Sequence, residues 1–176
     1  RRMRETLGFE GVVNGYGLTE CGGYGTMCSA DDPDDVIANT AGKPFPDTEV
    51  RIMDADGNLL PDGEAGEVVI RGYLTMNGYF NDPEGTAKTI DKNGWLHTGD
   101  IGYFDENGNL RIEDRVKDLY ICGGFNCYPA EIERLMSAHP AVGQIAVIGI
   151  PDERMGEVGK AYVVLRPGTS ATAEEL

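Results

Sequence analysis

No apolar run in these 176 residues approaches the roughly 18 to 20 needed to cross a bilayer. The opening stretch RRMRETLGFEGVV has basic residues but neither a continuous apolar segment nor a small-residue cleavage site, so it does not read as a secretory leader. The cytoplasm is the expected compartment. Positive charge is scarce: 15 Lys and Arg stand against 30 Asp and Glu, a net charge of −15. The average field therefore repels nucleic acid and anionic lipid. A phosphate-bearing ligand would have to be held by local cations, backbone amides or a metal. Histidine is limited to His97 and His139. The four cysteines, Cys21, Cys28, Cys122 and Cys127, form no CxxC pair and have no finger-type spacing to a histidine. That argues against zinc and leaves them as reduced thiols.

Glycine is abundant, 25 of 176 residues, about twice the usual ~7%. It falls between short apolar runs, so many tight turns are expected. EVRIMDADGNLLPDGEAGEVVIRG reads as a strand from Glu49 to Met53, a turn at Asp56 to Asn58, and a strand from Glu67 to Arg71. YFDENGNLRIEDR repeats the pattern around Asn107-Gly108. Asp82-Pro83 opens a short helix with Ala87 and Ile90 on one face. After Arg115 the texture changes to strand, helix, strand, strand: LYICGG, PAEIERLMSAHP, VGQIAVIGI and KAYVVLRPG. In that helix Pro129 occupies the first turn, Ile132, Leu135 and Met136 share a face, and His139-Pro140 stops it. Thr172 to Glu175 resembles a capping box for a further helix.

Three loop segments are polar in ways that turns alone do not require. GYGLTE follows a strand expected to end at Val12-Val13. It offers amides at Gly15 and Gly17, the Thr19 hydroxyl and the Glu20 carboxylate; a phosphate and Mg²⁺ loop and a plain glycine turn both fit. In GWLHTGD, Asp100 has the acceptors to hold a ribose diol, while a turn cap at Thr98 and Asp100 is the alternative. His97, with no visible partner, reads as structural. In DRVKDLYICGGFNCYPAEIE, Arg115 is a planar donor suited to hydroxyls or phosphate and Lys117 lies where the texture changes. Gly123-Gly124 permits either close ligand approach or a strand-end turn.

Together, in this order and spacing, the segments resemble the adenylate-forming enzymes, the family of acyl-CoA synthetases, peptide-synthetase adenylation domains and luciferases. YGLTE resembles the family's Y-G-x-T-E motif. GKPFPDTEVRIMD, GEVVIRG, GYFNDPEGTAKTI and GWLHTGD resemble its β-rich and ribose-binding region, and DRVKD with GGFNCYPAEIE its hinge and the start of its small domain. GGFNCYPAEIE is closer to the CoA ligases, including fatty-acid–CoA ligases, than to peptide-synthetase domains.

The resemblance implies a mixed α+β chain. Residues 1–115 would be the end of the large AMP-binding domain, a β-rich subdomain, and residues 116–176 the start of a small, mobile α+β domain. It further implies an ATP-dependent acid–thiol ligase that makes an acyl-adenylate from a small-molecule carboxylic acid and then a CoA thioester. Tyr16 and Gly17 would line the adenine and acyl pocket, Thr19 would donate to phosphate, Glu20 would hold Mg²⁺, Asp100 and Arg115 would take the ribose hydroxyls, Lys117 would be the hinge, and Gly123 and Gly124 would flank CoA. The family's phosphate loop and catalytic lysine match nothing here, since Lys160 comes too early. These residues are therefore expected to belong to a longer enzyme and to be inactive alone. A carrier-protein-loading domain and a non-catalytic nucleotide-binding scaffold are the alternatives, and the sequence names no acyl group.

Overall fold

A computed structural model describes residues 6–115, 118–173 and 175. The chain forms two compact units, Arg1–Ile112 and Glu113–Leu176. The first begins with short strands β1 (Gly15–Tyr16), β2 (Thr26–Met27) and β3 (Lys43–Pro44), antiparallel in that order, with Tyr16 opposite Thr26. Strands β4 (Thr48–Met53), β5 (Gly66–Gly72), β6 (Leu96–Phe104) and β7 (Leu110–Arg115) follow as a second sheet, also in chain order. Among the described residues no ladder reaches Val12-Val13; pairing starts at Gly15 opposite Met27, so the expected strand ending at Val13 is not seen among them.

In β4 the alternation of apolar and charged residues sets the faces. Val50 and Ile52 are buried and lie opposite Ile70 and Val68 of β5, while Glu49 and Arg51 face outward. Leu96, Phe104 and Leu110 complete that core with Ala41 and Cys21. Strand β5 is covered on both sides: Val68, Val69 and Ile70 are each 0% exposed, and Val69 packs in a separate cluster with Met53 and Trp95. Arg71 closes that cluster, its guanidinium 4.3 Å from the Trp95 ring centre and 2.8 Å from a Glu49 carboxylate oxygen.

Three turns share one design. Asp54, Asp91 and Asp105 each open an Asp-x-(Asp/Asn)-Gly sequence. In each, one carboxylate oxygen accepts the N–H groups two and four residues on, at 2.8 to 3.0 Å. Gly57, Gly94 and Gly108 take the left-handed conformation that turns the chain back. The helix α1 spans Asp34–Asn39, and α2 spans Pro83–Thr89, capped by Asp82, whose carboxylate accepts the Gly85 N–H at 2.8 Å. Ile90, expected on the face of α2, is already extended and bridges Leu96, which draws it into the core.

The second unit holds β8 (Tyr120–Cys122), β9 (Phe125–Cys127), α3 (Pro129–Ser137), β10 (Val142–Asp152) and β11 (Gly156–Leu165), the strands ordered β10-β11-β8-β9. The single strand expected before the helix is a hairpin. Cys122 pairs with Phe125, and Gly123 and Gly124, both at positive φ, form its two-residue turn. In α3 the inward stripe is Pro129, Ile132, Glu133 and Met136, an i, i+3, i+4, i+7 set. Leu135, expected on that face, is 66% exposed. Glu133 takes the inner place because its carboxylate accepts the Val147 N–H of β10 at 2.8 Å, while Asp114 accepts the Ala130 N–H at the start of α3. Tyr120 is buried over two glycines that face each other in the ladder, Gly149 and Gly159. A Cβ on Gly149 would lie 2.4 Å from the Tyr120 Cβ. At the chain's end the Glu175 carboxylate accepts the Thr172 N–H at 2.8 Å, one half of the expected capping box, while the Glu175 N–H donates to the Thr172 carbonyl at 3.2 Å and not to its hydroxyl.

Burial alone would raise the Asp105 carboxyl, but the N–H groups of Asn109 and Asn107 outweigh it and hold it below the usual carboxylate value. Such a group stabilises the fold fully above its unfolded value near ~4 and loses that contribution as pH falls through the lower folded value. Asp105→Ala should lower stability by about 1 to 2 kcal/mol at neutral pH and flatten the acid limb of a urea-melt profile. Gly149→Ala should cost about 1 to 3 kcal/mol by overpacking Tyr120, read as a lower midpoint in the same melts.

Candidate functional site

The first polar segment leaves β1 at Tyr16 and runs into a single 3₁₀ turn, Thr19–Cys21, ended by Gly22 at φ +67°. Cys21 is completely buried in the main core, and its Sγ accepts the Leu18 N–H at 3.4 Å. This roots the turn while leaving Thr19 exposed and Glu20 half-buried. Gly17 lies against the returning chain: a Cβ there would sit 2.3 Å from the Gly23 carbonyl oxygen. The loop thus requires glycine at 17 for its own closure.

Tyr16 and Asp100, 84 residues apart, meet directly, the phenol donating to Asp100 Oδ2 at 2.6 Å. Burial first, and then this hydrogen bond, push the Tyr16 phenol well above its ordinary value, so it remains the donor. GYGLTE and HTGD are therefore one constellation. Glu20 belongs to the same loop: its carbonyl accepts the Met76 N–H at 2.8 Å and its carboxylate accepts the Tyr79 hydroxyl at 2.7 Å. That bond to Glu20 raises the Tyr79 phenol.

Sequence reasoning singled out neither Tyr79 nor Glu67. Tyr79 sits in NGYF with nothing to mark it among eight tyrosines. Glu67 opens an apolar strand, and only a half-buried acid in that place could have drawn notice. Its carboxylate lies 2.8 Å from His97 Nδ1 and accepts the Gly99 N–H at 2.9 Å. His97 thus has a carboxylate partner that the sequence did not reveal. Thr98 donates to the Val68 carbonyl at 2.7 Å and accepts the Asp100 N–H at 3.1 Å.

The remaining candidates fall in the second unit. Arg115 ends β7, its N–H donating to Asp114 Oδ1 at 2.8 Å. Gly123 and Gly124 form the β8–β9 turn. Lys117 lies outside the described residues. Among the described residues no group of three or more His, Cys, Asp or Glu side chains is arranged to hold a metal.

Two family models match the chain: AMP-binding enzyme over residues 1–80, and AMP-binding enzyme C-terminal domain over residues 131–176. A 3-((3aS,4S,7aS)-7a-methyl-1,5-dioxo-octahydro-1H-inden-4-yl)propanoyl:CoA ligase of Mycobacterium tuberculosis is 53% identical over 96% of this chain and 31% of its own length. A 4-coumarate–CoA ligase of Vanilla planifolia is 46% identical over 92% of the chain and 30% of its own length. The solved O-succinylbenzoate coenzyme A synthetase of Bacillus subtilis in complex with AMP superposes with a TM-score of 0.84 at 38% identity, over 99% of this chain and 34% of that one. The chain spans about a third of the length of the curated relatives it matches.

Gly17→Ala should lower the thermal midpoint by an amount equivalent to about 2 to 3 kcal/mol, since the added methyl meets backbone rather than a movable side chain. Gly57→Ala, at an exposed left-handed turn with open space around the Cβ, should cost about 1 kcal/mol. Differential scanning calorimetry of the pair separates steric closure from φ strain.

Proposed function

The chain belongs to the AMP-binding enzymes, and from that premise we propose that the protein carrying it is an ATP-dependent acid–CoA ligase. The Tyr16–Asp100 hydrogen bond carries the reading, because it joins the two segments that the resemblance assigns to nucleotide recognition. In the first half-reaction a substrate carboxylate oxygen attacks the α-phosphorus of ATP, the bond to the β-phosphate oxygen breaks and pyrophosphate leaves. In the second, the CoA sulfur attacks the acyl carbon, the acyl–oxygen bond breaks and AMP leaves with the electron pair, giving a thioester.

Each residue has a part in this scheme. Tyr16 and Gly17 form the wall beside adenine and the acyl group. Asp100 and Arg115 accept from and donate to the ribose hydroxyls. Thr19 donates to phosphate. The Glu20 carboxylate suits a hard cation, and magnesium commonly uses one or two carboxylates together with substrate phosphates, so a lone Glu20 fits. Bound there, Mg²⁺ would offset the repulsion between two anions in a protein of net charge −15. Tyr79 holds that carboxylate in one orientation.

Residues 1–115 act as the end of the large domain and 116–176 as the start of a small domain that moves about Lys117 between half-reactions. Gly123 and Gly124 leave room for the narrow arm of CoA, in addition to the backbone reason that their hairpin already supplies. No described helix is long and apolar enough to cross a membrane; the compartment proposed is the cytoplasm. Apolar carboxylic acids, from fatty acids to ring-bearing acids like those in the relatives' names, are the substrate class proposed.

ATP–pyrophosphate exchange in the protein carrying these residues, with indane-propanoate, cinnamate and fatty acids offered separately, should appear with one acid class, with CoA-dependent AMP release following. Exchange indifferent to CoA would point to a carrier-protein thiol, and none with any acid would leave a binding scaffold. Asp100→Ala should weaken ATP binding by about 1.5 to 3 kcal/mol.

A further inference from the structure

Strand β6 leaves the ladder for three residues beside β5. Glu67 pairs with Ile101 and Val69 with His97, so Val68 alone faces Thr98, Gly99 and Asp100. A bulge of this kind strands backbone groups next to a fully buried residue, where each unpaired N–H or C=O is costly. Here two side chains take up the stranded groups. The Thr98 hydroxyl donates to the Val68 carbonyl and accepts the Asp100 N–H, and Glu67 accepts the Gly99 N–H. Gly99, at φ +73°, makes the reversal. The second Glu67 oxygen is held by His97 Nδ1 at 2.8 Å; because a carboxylate only accepts, that nitrogen carries the proton.

These bonds position the one residue of the bulge that reaches across the site. Asp100 lies in the bulge, out of the ladder, where it meets Tyr16, and Glu67 and Thr98 hold the N–H groups of that bulge. We propose that Glu67 is a positioning residue for nucleotide recognition: with Thr98 it sets the Asp100 carboxylate for the ribose diol, without touching the nucleotide itself. The inference rests on the ribose role proposed above for Asp100.

The test compares ATP with 2′,3′-dideoxy-ATP in pyrophosphate exchange by the protein carrying these residues. Glu67→Ala should lower kcat/KM for ATP about tenfold, mainly through KM, and change it for the dideoxy nucleotide by less than about twofold. Glu67→Gln, which can still accept the Gly99 N–H and can donate to His97 Nδ1 once the imidazole carries its proton on Nε2, should recover most of the discrimination. Equal losses with both nucleotides, or a lower melting point with KM for ATP unchanged, would overturn the proposal and leave Glu67 as a stability residue. Should Glu67→Ala fail to fold, Thr98→Val, with Thr98→Ser as its conservative control, carries the same comparison. Asp100→Ala is run alongside. If that variant still discriminates between the two nucleotides as the unaltered protein does, the ribose reading itself falls; if it loses discrimination and Glu67→Ala does not, only the positioning role falls.

Discussion

Strand β5 has no solvent face in its middle. Val68, Val69 and Ile70 are sealed on one side by the main core and on the other by Met53 and Trp95, so their backbone groups must find partners within the protein. Strand β4 satisfies one edge in unbroken register. Strand β6 satisfies the other except opposite Val68, and there side chains complete what the ladder leaves open. The polar residues of β5 sit only toward its ends, Glu67 at the bulge and Arg71 over Trp95. The site constellation is thus a by-product of how a doubly buried strand is closed.

Much of this could be read from the residues. Alternation in TEVRIM, the Asp-Gly and Asn-Gly turns and the Asp82-Pro83 helix start are local signals, and the structure follows them within a residue or two. The failures arose where distant partners decide. Ile90 fits a helical face by spacing, yet pairing with Leu96 pulls it into extended backbone. Leu135 fits the packing face of α3, yet Glu133 displaces it by taking the Val147 N–H. Val12-Val13 has the composition of a strand but pairs with no strand among the described residues. At the candidate site the motif residues were legible, whereas Glu67 and Tyr79 were not, because each acts through long-range hydrogen bonds that leave no periodic trace.

The glycines show how one residue type answers different demands. At 17 the absent side chain makes room for a passing carbonyl, at 149 and 159 for a tyrosine ring, and at 123 and 124 the backbone itself adopts angles that other residues resist. A glycine-rich loop beside a ligand site therefore does not by itself report a ligand. At Gly17 the steric reason is complete without one, which shifts the weight of the nucleotide reading onto the side chains of Tyr16, Glu20 and Asp100.

The Tyr16–Asp100 and Glu20–Tyr79 bonds join residues 84 and 59 positions apart. Closing such long loops is entropically unfavourable until the intervening strands are already paired. Loop-closure entropy therefore favours pairing of the β4–β5–β6 meander, built from neighbours in sequence, ahead of the contact between the two halves of the constellation. A nucleotide that bridges those halves would bind only the finished fold. A ligand held across those halves would therefore draw molecules out of the late, half-assembled ensemble and stabilise the fold as it closes.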